Sequence, residues 1–138
     1  AAQLMAETAG IHACTDITGF GFIGHALEMA RASGVGMMIL SEKIPLFYEA
    51  MEYARMGLVP AGATANRTFY SCHVDTEPHV SPLLTDLLYD PQTSGGLLIS
   101  LPGAEAERLV ASLRQEGNSD VNIIGEVMEA PPGRIRVV

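Results

Sequence analysis

The sequence has no tryptophan, a single lysine (Lys43), only two cysteines and few aromatics, 6% in all. Each scarcity excludes something. Cys14 and Cys72 cannot build a disulfide framework, so a reducing, cytoplasmic setting is expected. Basic residues number 8 against 16 acidic ones, a net charge of −8. That balance lacks the basic footprint of a nucleic-acid binder and the polybasic cluster that seeks anionic membranes. Phosphate, if bound, must be held by backbone amides, arginines or a metal ion. No apolar run approaches the ~18 residues of a membrane span. Nothing near the start reads as a signal peptide.

What is present is apolar. Hydrophobic residues make up 48% and charged residues 17% of 138, a composition that packs a core and points to one domain. The chain opens Ala1-Ala2-Gln3-Leu4-Met5, without an initiator methionine. Residues 4–9 read as the end of a helix closed near Gly10. This predicts a piece of a longer protein, with residues 1–138 as one domain.

The periodicity predicts a strand or extended segment over 11–17 and a helix over 22–33 that buries Phe22, Ile23, Ala26, Leu27 and Ala30 and stops at Gly34. Residues 35–40 read as a buried strand. Pro45 reads as the start of a second helix over 46–56, with Phe47, Ala50, Met51 and Ala54 inward and Gly57 as its stop. Residues 58–81, broken by Pro60, Gly62, Asn66 and Pro78, read as a long loop. A short helix is expected over 82–89 and a strand over 97–101. A helix over 104–116 should turn Ala106, Leu109, Val110 and Leu113 inward, and strands should follow over 121–128 and 135–138. Met29, Met37, Met38, Met51 and Met56 sit at core spacing. The alternation predicts an α/β (α+β) domain, with helices packed on a mixed β-sheet.

Two glycine turns carry the chemical interest. In Thr15-Asp16-Ile17-Thr18-Gly19-Phe20-Gly21-Phe22-Ile23-Gly24-His25, a carboxylate precedes a glycine-rich turn that opens a helix. Glycines admit close backbone approach, helix N-termini suit phosphate oxygens, and Asp16 suits Mg²⁺ bound against the same phosphates. The alternative is an ordinary strand–helix turn with Asp16 as its cap. The run is neither a Walker A loop nor a clean GxGxxG. In Asp90-Pro91-Gln92-Thr93-Ser94-Gly95-Gly96, hydroxyls and amides form an anion-friendly turn, and an ordinary turn is the alternative. Cys72-His73-Val74-Asp75-Thr76-Glu77-Pro78-His79 lacks the paired cysteines of a zinc site and reads as a solvated loop. Cys14 reads as a small buried residue and His12 as structural. His25 falls on the polar side of its helix, where it faces ligand, solvent or a neighbouring domain.

The run from His12 to Gly21, continuing to Gly24-His25, strongly resembles the start of the C-terminal domain of the selenophosphate synthetase (selenide, water dikinase) family. Residues 90–98 resemble that family's second hallmark, and Pro60-Ala61-Gly62-Ala63-Thr64-Ala65-Asn66-Arg67 is a looser match between the two. The resemblance covers essentially the whole chain. It implies the aminoimidazole ribonucleotide synthetase-related superfamily, whose members join an N-terminal ATP-binding domain to a C-terminal α/β domain. It implies conversion of selenide, ATP and water into selenophosphate, AMP and phosphate, with Mg²⁺, and K⁺ as a further cation, in a cytoplasmic homodimer. By the same resemblance Asp16 is a metal ligand, Thr18, Gly19 and Gly21 line the phosphate side, and Thr93, Ser94, Gly95 and Gly96 approach from the other loop. The family's catalytic cysteine or selenocysteine and its lysine belong to the absent N-terminal domain, so no residue here is catalytic and the fragment alone should be inactive. The competing readings are another superfamily member, such as a purine-pathway synthetase or small-molecule kinase, and a domain that only dimerises or docks a partner.

Overall fold

The structure, a computed structural model, describes Met5, Thr8 and residues 10–138. The helix end expected over 4–9 lies largely outside the described residues. The described elements run β1 (Ala13–Asp16), α1 (Gly21–Ser33), β2 (Gly36–Ile39), α2 (Ala50–Arg55), α3 (Ala61–Tyr70), β3 (Val74–Thr76), α4 (Pro82–Leu88), β4 (Leu97–Ser100), α5 (Gly103–Gln115), β5 (Gly125–Met128) and β6 (Ile135–Val137). Short 3₁₀ turns cover Ser41–Lys43 and Ser71–His73. The α/β class is as expected, and the sheet is mixed.

The described residues form two sheets. One has four strands in the order β3-β6-β2-β5, with β6 parallel to both β2 and β3, and β5 antiparallel to β2. β2 lies inside this sheet, which accounts for its unbroken apolar run. The other sheet is a two-stranded antiparallel ribbon of β1 and β4.

Helix α1 connects the two. Its residues Phe22, Ile23, Ala26, Leu27 and Ala30 are all buried, and it touches β1, β2, β6, α3 and α4. Gly34 closes it in the left-handed region, with φ 67°. Around α1 the core runs from Met37, Ile39, Ile135 and Val137 in the large sheet, through Leu88 and Tyr89, to Leu98 and Ile17 at the ribbon. A fully buried Leu or Ile side chain stabilises the fold by about 1.5–3 kcal/mol. That core fixes the ribbon, and the loops at its end, against the rest of the domain.

Several expectations need correction. The second helix begins at Ala50, not at 46, and of its expected stripe only Ala54 is buried. Phe47 is 86% exposed. The reason is position: α2 packs chiefly on α4, and among the described residues the turn before it is left largely uncovered. The loop expected over 58–81 contains α3 and β3. Pro60 is the N-cap of α3 and does not break it. The helix is hard to see because only Ala63 and Tyr70 of its residues are buried. The strand expected over 121–128 is ordered as strand only at Gly125–Met128. In α5, Leu109 and Leu113 are buried while Ala106 and Val110 are only half-buried. Met29 and Met37 are core residues, but Met38 and Met51 are half-buried and Met56 is exposed. Cys14 is exposed, not buried.

Candidate functional site

The ribbon register sets the site. Cys14 lies opposite Ile99 and Asp16 opposite Leu97. Directly opposed residues of an antiparallel pair share a face, so Cys14, Asp16, Leu97 and Ile99 share the outer face of the ribbon. Where the pairing ends, the two glycine turns begin, and they are bonded to each other. The Ile17 N–H donates to the Gly96 carbonyl at 2.9 Å, and the Gly95 N–H donates back to the Ile17 carbonyl at 3.0 Å. The Thr18 carbonyl accepts from the Gln92 N–H at 3.0 Å and from the Gly21 N–H at 3.0 Å. Two segments far apart in sequence therefore form one edge.

The parts of that edge differ in accessibility. Asp16, Gly19, Thr93, Ser94, Gly95 and Gly96 are exposed, and Thr18 is half-buried. The Thr18 hydroxyl is hydrogen-bonded to His25 Nε2 at 3.0 Å, and the His25 ring lies 5.3 Å from that of Phe20. His25 thus braces the first turn from inside. Gly21 has φ +70°, and a Cβ there would meet the Tyr89 backbone at 2.7 Å. Its first constraint is close packing within the protein. Gly19 and Gly96 have nothing within 4 Å of such a Cβ, so these two glycines border open space. The first turn of α1, Gly21–Gly24, is buried, so the accessible amides are those of the turns.

Asp16 does not cap α1, whose N-terminus carries no side-chain cap bond. Its carboxylate enters no hydrogen bond or ion pair among the described residues. Desolvation, and then the Asp16 charge, push the Cys14 thiol above its usual pKa. Cys14 is thereby kept as thiol and is a poor nucleophile. Burial likewise raises the Asp90 carboxyl. Mg²⁺ sites commonly use one or two protein carboxylates completed by phosphate oxygens and water. An exposed, unengaged Asp16 fits one such place. Among the described residues no three His, Cys, Asp or Glu side chains gather into a metal cluster. His73, Asp75, Glu77 and His79 form no such group; Asp75 and Glu77 instead pair with Arg134 and Arg136.

Asn66 was not among the residues expected at the site. Its side-chain amide donates to the Gly19 carbonyl and to the Tyr89 carbonyl, each at 3.0 Å. The available signal was the polar Asn66 in the looser 60–67 match. Two surface concavities lie elsewhere. One of about 360 Å³ is lined by Lys43, Glu107, Arg114, Asn122 and neighbours. One of about 250 Å³ is lined by Leu40, Glu42, Lys43, His79 and Val138. Neither includes a residue of the glycine turns. No helix of the described residues is long and apolar enough to cross a membrane.

The chain is similar to several known proteins. The chain is 52% identical over 127 residues to selenide, water dikinase of Pelobacter propionicus, an alignment covering 92% of this chain and 36% of that protein. It is 45% identical over 128 residues to selenide, water dikinase 2 of Peptoclostridium acidaminophilum, covering 93% and 37%. The chain thus spans little more than a third of the length of these curated relatives. Among solved structures, the hydrogenase maturation protein HypE in complex with ATP matches with a TM-score of 0.61 at 20% identity, over 98% of this chain and 34% of that one. T. maritima PurL complexed with FGAR matches with a TM-score of 0.57 at 16% identity, over 97% of this chain and 16% of that one. These two likenesses show a shared fold. The model of the AIR synthase related protein C-terminal domain matches residues 1–138, and the chain belongs to that family.

Proposed function

We propose that this chain is the C-terminal domain of a selenophosphate synthetase, supplying one edge of a composite site that turns selenide, ATP and water into selenophosphate, AMP and phosphate. The observation that carries the reading is the backbone stitching of the two hallmark turns into one accessible edge beside an unengaged carboxylate. Relatives 52% and 45% identical that bear the selenide, water dikinase name support it. So does the ATP complex of a protein with the same fold.

In this reading Asp16 is a ligand of Mg²⁺, which would neutralise charge on the nucleotide phosphates. Thr18 and Gly19 form the phosphate side of the first turn, with Gly21, also expected there, buried behind them and its N–H held by Thr18, and Thr93, Ser94, Gly95 and Gly96 form that of the second. Exposed turn amides suit phosphate oxygens, and a chain with one lysine needs that kind of donor. The turns lie on an accessible edge, and in this reading the opposite wall comes from another domain. The catalytic cysteine or selenocysteine and the essential lysine belong to that N-terminal, ATP-binding domain. The chain alone is then inactive, and the whole protein is a cytoplasmic homodimer, with K⁺ as a second cation.

The test is Asp16→Asn in the full-length enzyme, followed by ³¹P NMR with ATP, Mg²⁺ and selenide. Removing a supporting contact around a metal ligand typically costs 10–100-fold, so losing the ligand should lower selenide-dependent AMP formation by at least ~100-fold. Near-normal turnover would remove the metal role. ATP consumption indifferent to selenide, or ADP as end product, would move the assignment to a purine-pathway synthetase or a small-molecule kinase.

A further inference from the structure

We propose that Asn66 is a positioning residue that locks the two glycine turns into their working arrangement, and that α3 is the element that delivers it. The inference rests on the proposed function and goes beyond it, because it assigns a role to a helix and a residue outside both hallmark turns.

The geometry is specific. A primary amide has two N–H donors. In Asn66 that amide reaches one carbonyl in the first turn, that of Gly19, and one at the entry to the second, that of Tyr89. Tyr89 also gives its backbone to the close contact with Gly21. A single side chain therefore ties the first turn to the hinge of the second, and an apolar or acidic side chain of this size cannot do so.

The helix that carries Asn66 is fastened on both sides. Near its start, a Cβ on Gly62 would lie 2.8 Å from Cγ of Pro91, in the second turn. Arg67 pairs with Asp86 of α4, the helix that leads into that turn. At its end, Tyr70 packs beside Gly24 of α1 and edge-on to Phe20 of the first turn. Helix α3 thus touches the first turn, the second turn and the helices behind each. Its burial is slight, with Ala63 and Tyr70 as its buried residues. Its residues are spent on contacts with the turns more than on the core.

The experiment uses the full-length enzyme carrying Asn66→Ala or Asn66→Asp. Hydrogen exchange would be followed in peptides covering 17–21 and 89–96, with 36–39 and 135–137 as internal controls. Steady-state AMP formation would be followed against ATP concentration. Two hydrogen bonds to backbone acceptors are lost, so exchange should rise about 10- to 100-fold in both turns together while the control strands hold. kcat should fall by a comparable factor, and it should not recover at temperatures well below unfolding. Exchange that rises in one turn only, or a kcat within about twofold of wild type, would overturn the proposal. So would a kcat loss that disappears on cooling, which is the mark of a merely structural residue. If neither Asn66 variant folds, Gly62→Ala keeps the amide but pushes α3 off Pro91. Faster exchange at 89–96 with lowered kcat then supports the coupling, and no change in either overturns it. A wild-type enzyme that makes no selenide-dependent AMP would sink the function reading instead, leaving the exchange data to judge the lock.

Discussion

Gly19 and Gly21 stand two residues apart in one turn and do opposite things. Gly21 is held at φ +70° against the Tyr89 backbone, whereas Gly19 faces open space. Gly21→Ala therefore adds both a left-handed backbone penalty and a clash, and should cost about 2 kcal/mol or more of stability by denaturant titration. Gly19→Ala should leave the same titration within about 0.5 kcal/mol of wild type. Any activity it loses in the full-length enzyme then reports on what occupies the edge. Equal destabilisation by the two substitutions would show that Gly19 is packed as tightly as Gly21. At this scale the sequence was readable where the backbone dictates residue type, as at Gly34, which closes α1 in the left-handed region. It offered only a faint signal for Asn66, its place in the looser 60–67 match, because an amide carries no mark of the carbonyls it will meet.

Helix α1 was legible because one face is buried from Phe22 to Ala30 and Gly34 stops it. α2 and α3 were not, for opposite reasons. Around α2 an apolar pattern promised burial that the packing does not supply, and Phe47 is left in solvent. In α3 the packing relies on Ala63, Gly62, Asn66 and Tyr70, which do not read as a hydrophobic stripe. Strand β3 is three residues long and pairs only with β6, too short for period-two alternation to be seen. The central place of α1 leads to an expectation. Leu27→Ala removes a fully buried side chain that faces a continuous core, and should lower unfolding free energy by about 2–5 kcal/mol, read by calorimetry or urea. A loss under about 1 kcal/mol would mean that the neighbouring strands close over the gap.

At the level of the whole molecule, the segment from Leu46 to Leu58 leaves Phe47 86%, Tyr48 95%, Met56 62% and Leu58 64% exposed. Large apolar side chains left this exposed within one segment are adhesive where they gather on a surface. The isolated chain should scatter light as more than a monomer at high concentration, and Phe47→Ser with Tyr48→Ser should return it toward the monomer. Unchanged scattering would acquit this segment. The fold class was within reach of the sequence because strand and helix patterns alternate along it. The division into a four-stranded sheet and a separate ribbon was not, since β1 and β4 find each other across most of the chain. That long-range pairing bears on how the molecule comes into being. Ile17 meets Gly96 roughly eighty residues later, so the entropy of closing a long loop must be met before the edge exists. A growing chain on the ribosome can complete α1 early, but β2 must wait for its partners β5 and β6, and the paired turns cannot be displayed until residue 96 has been made and placed. The edge of paired turns is then a late product of folding, absent from partly synthesised or clipped chains whatever helices they retain.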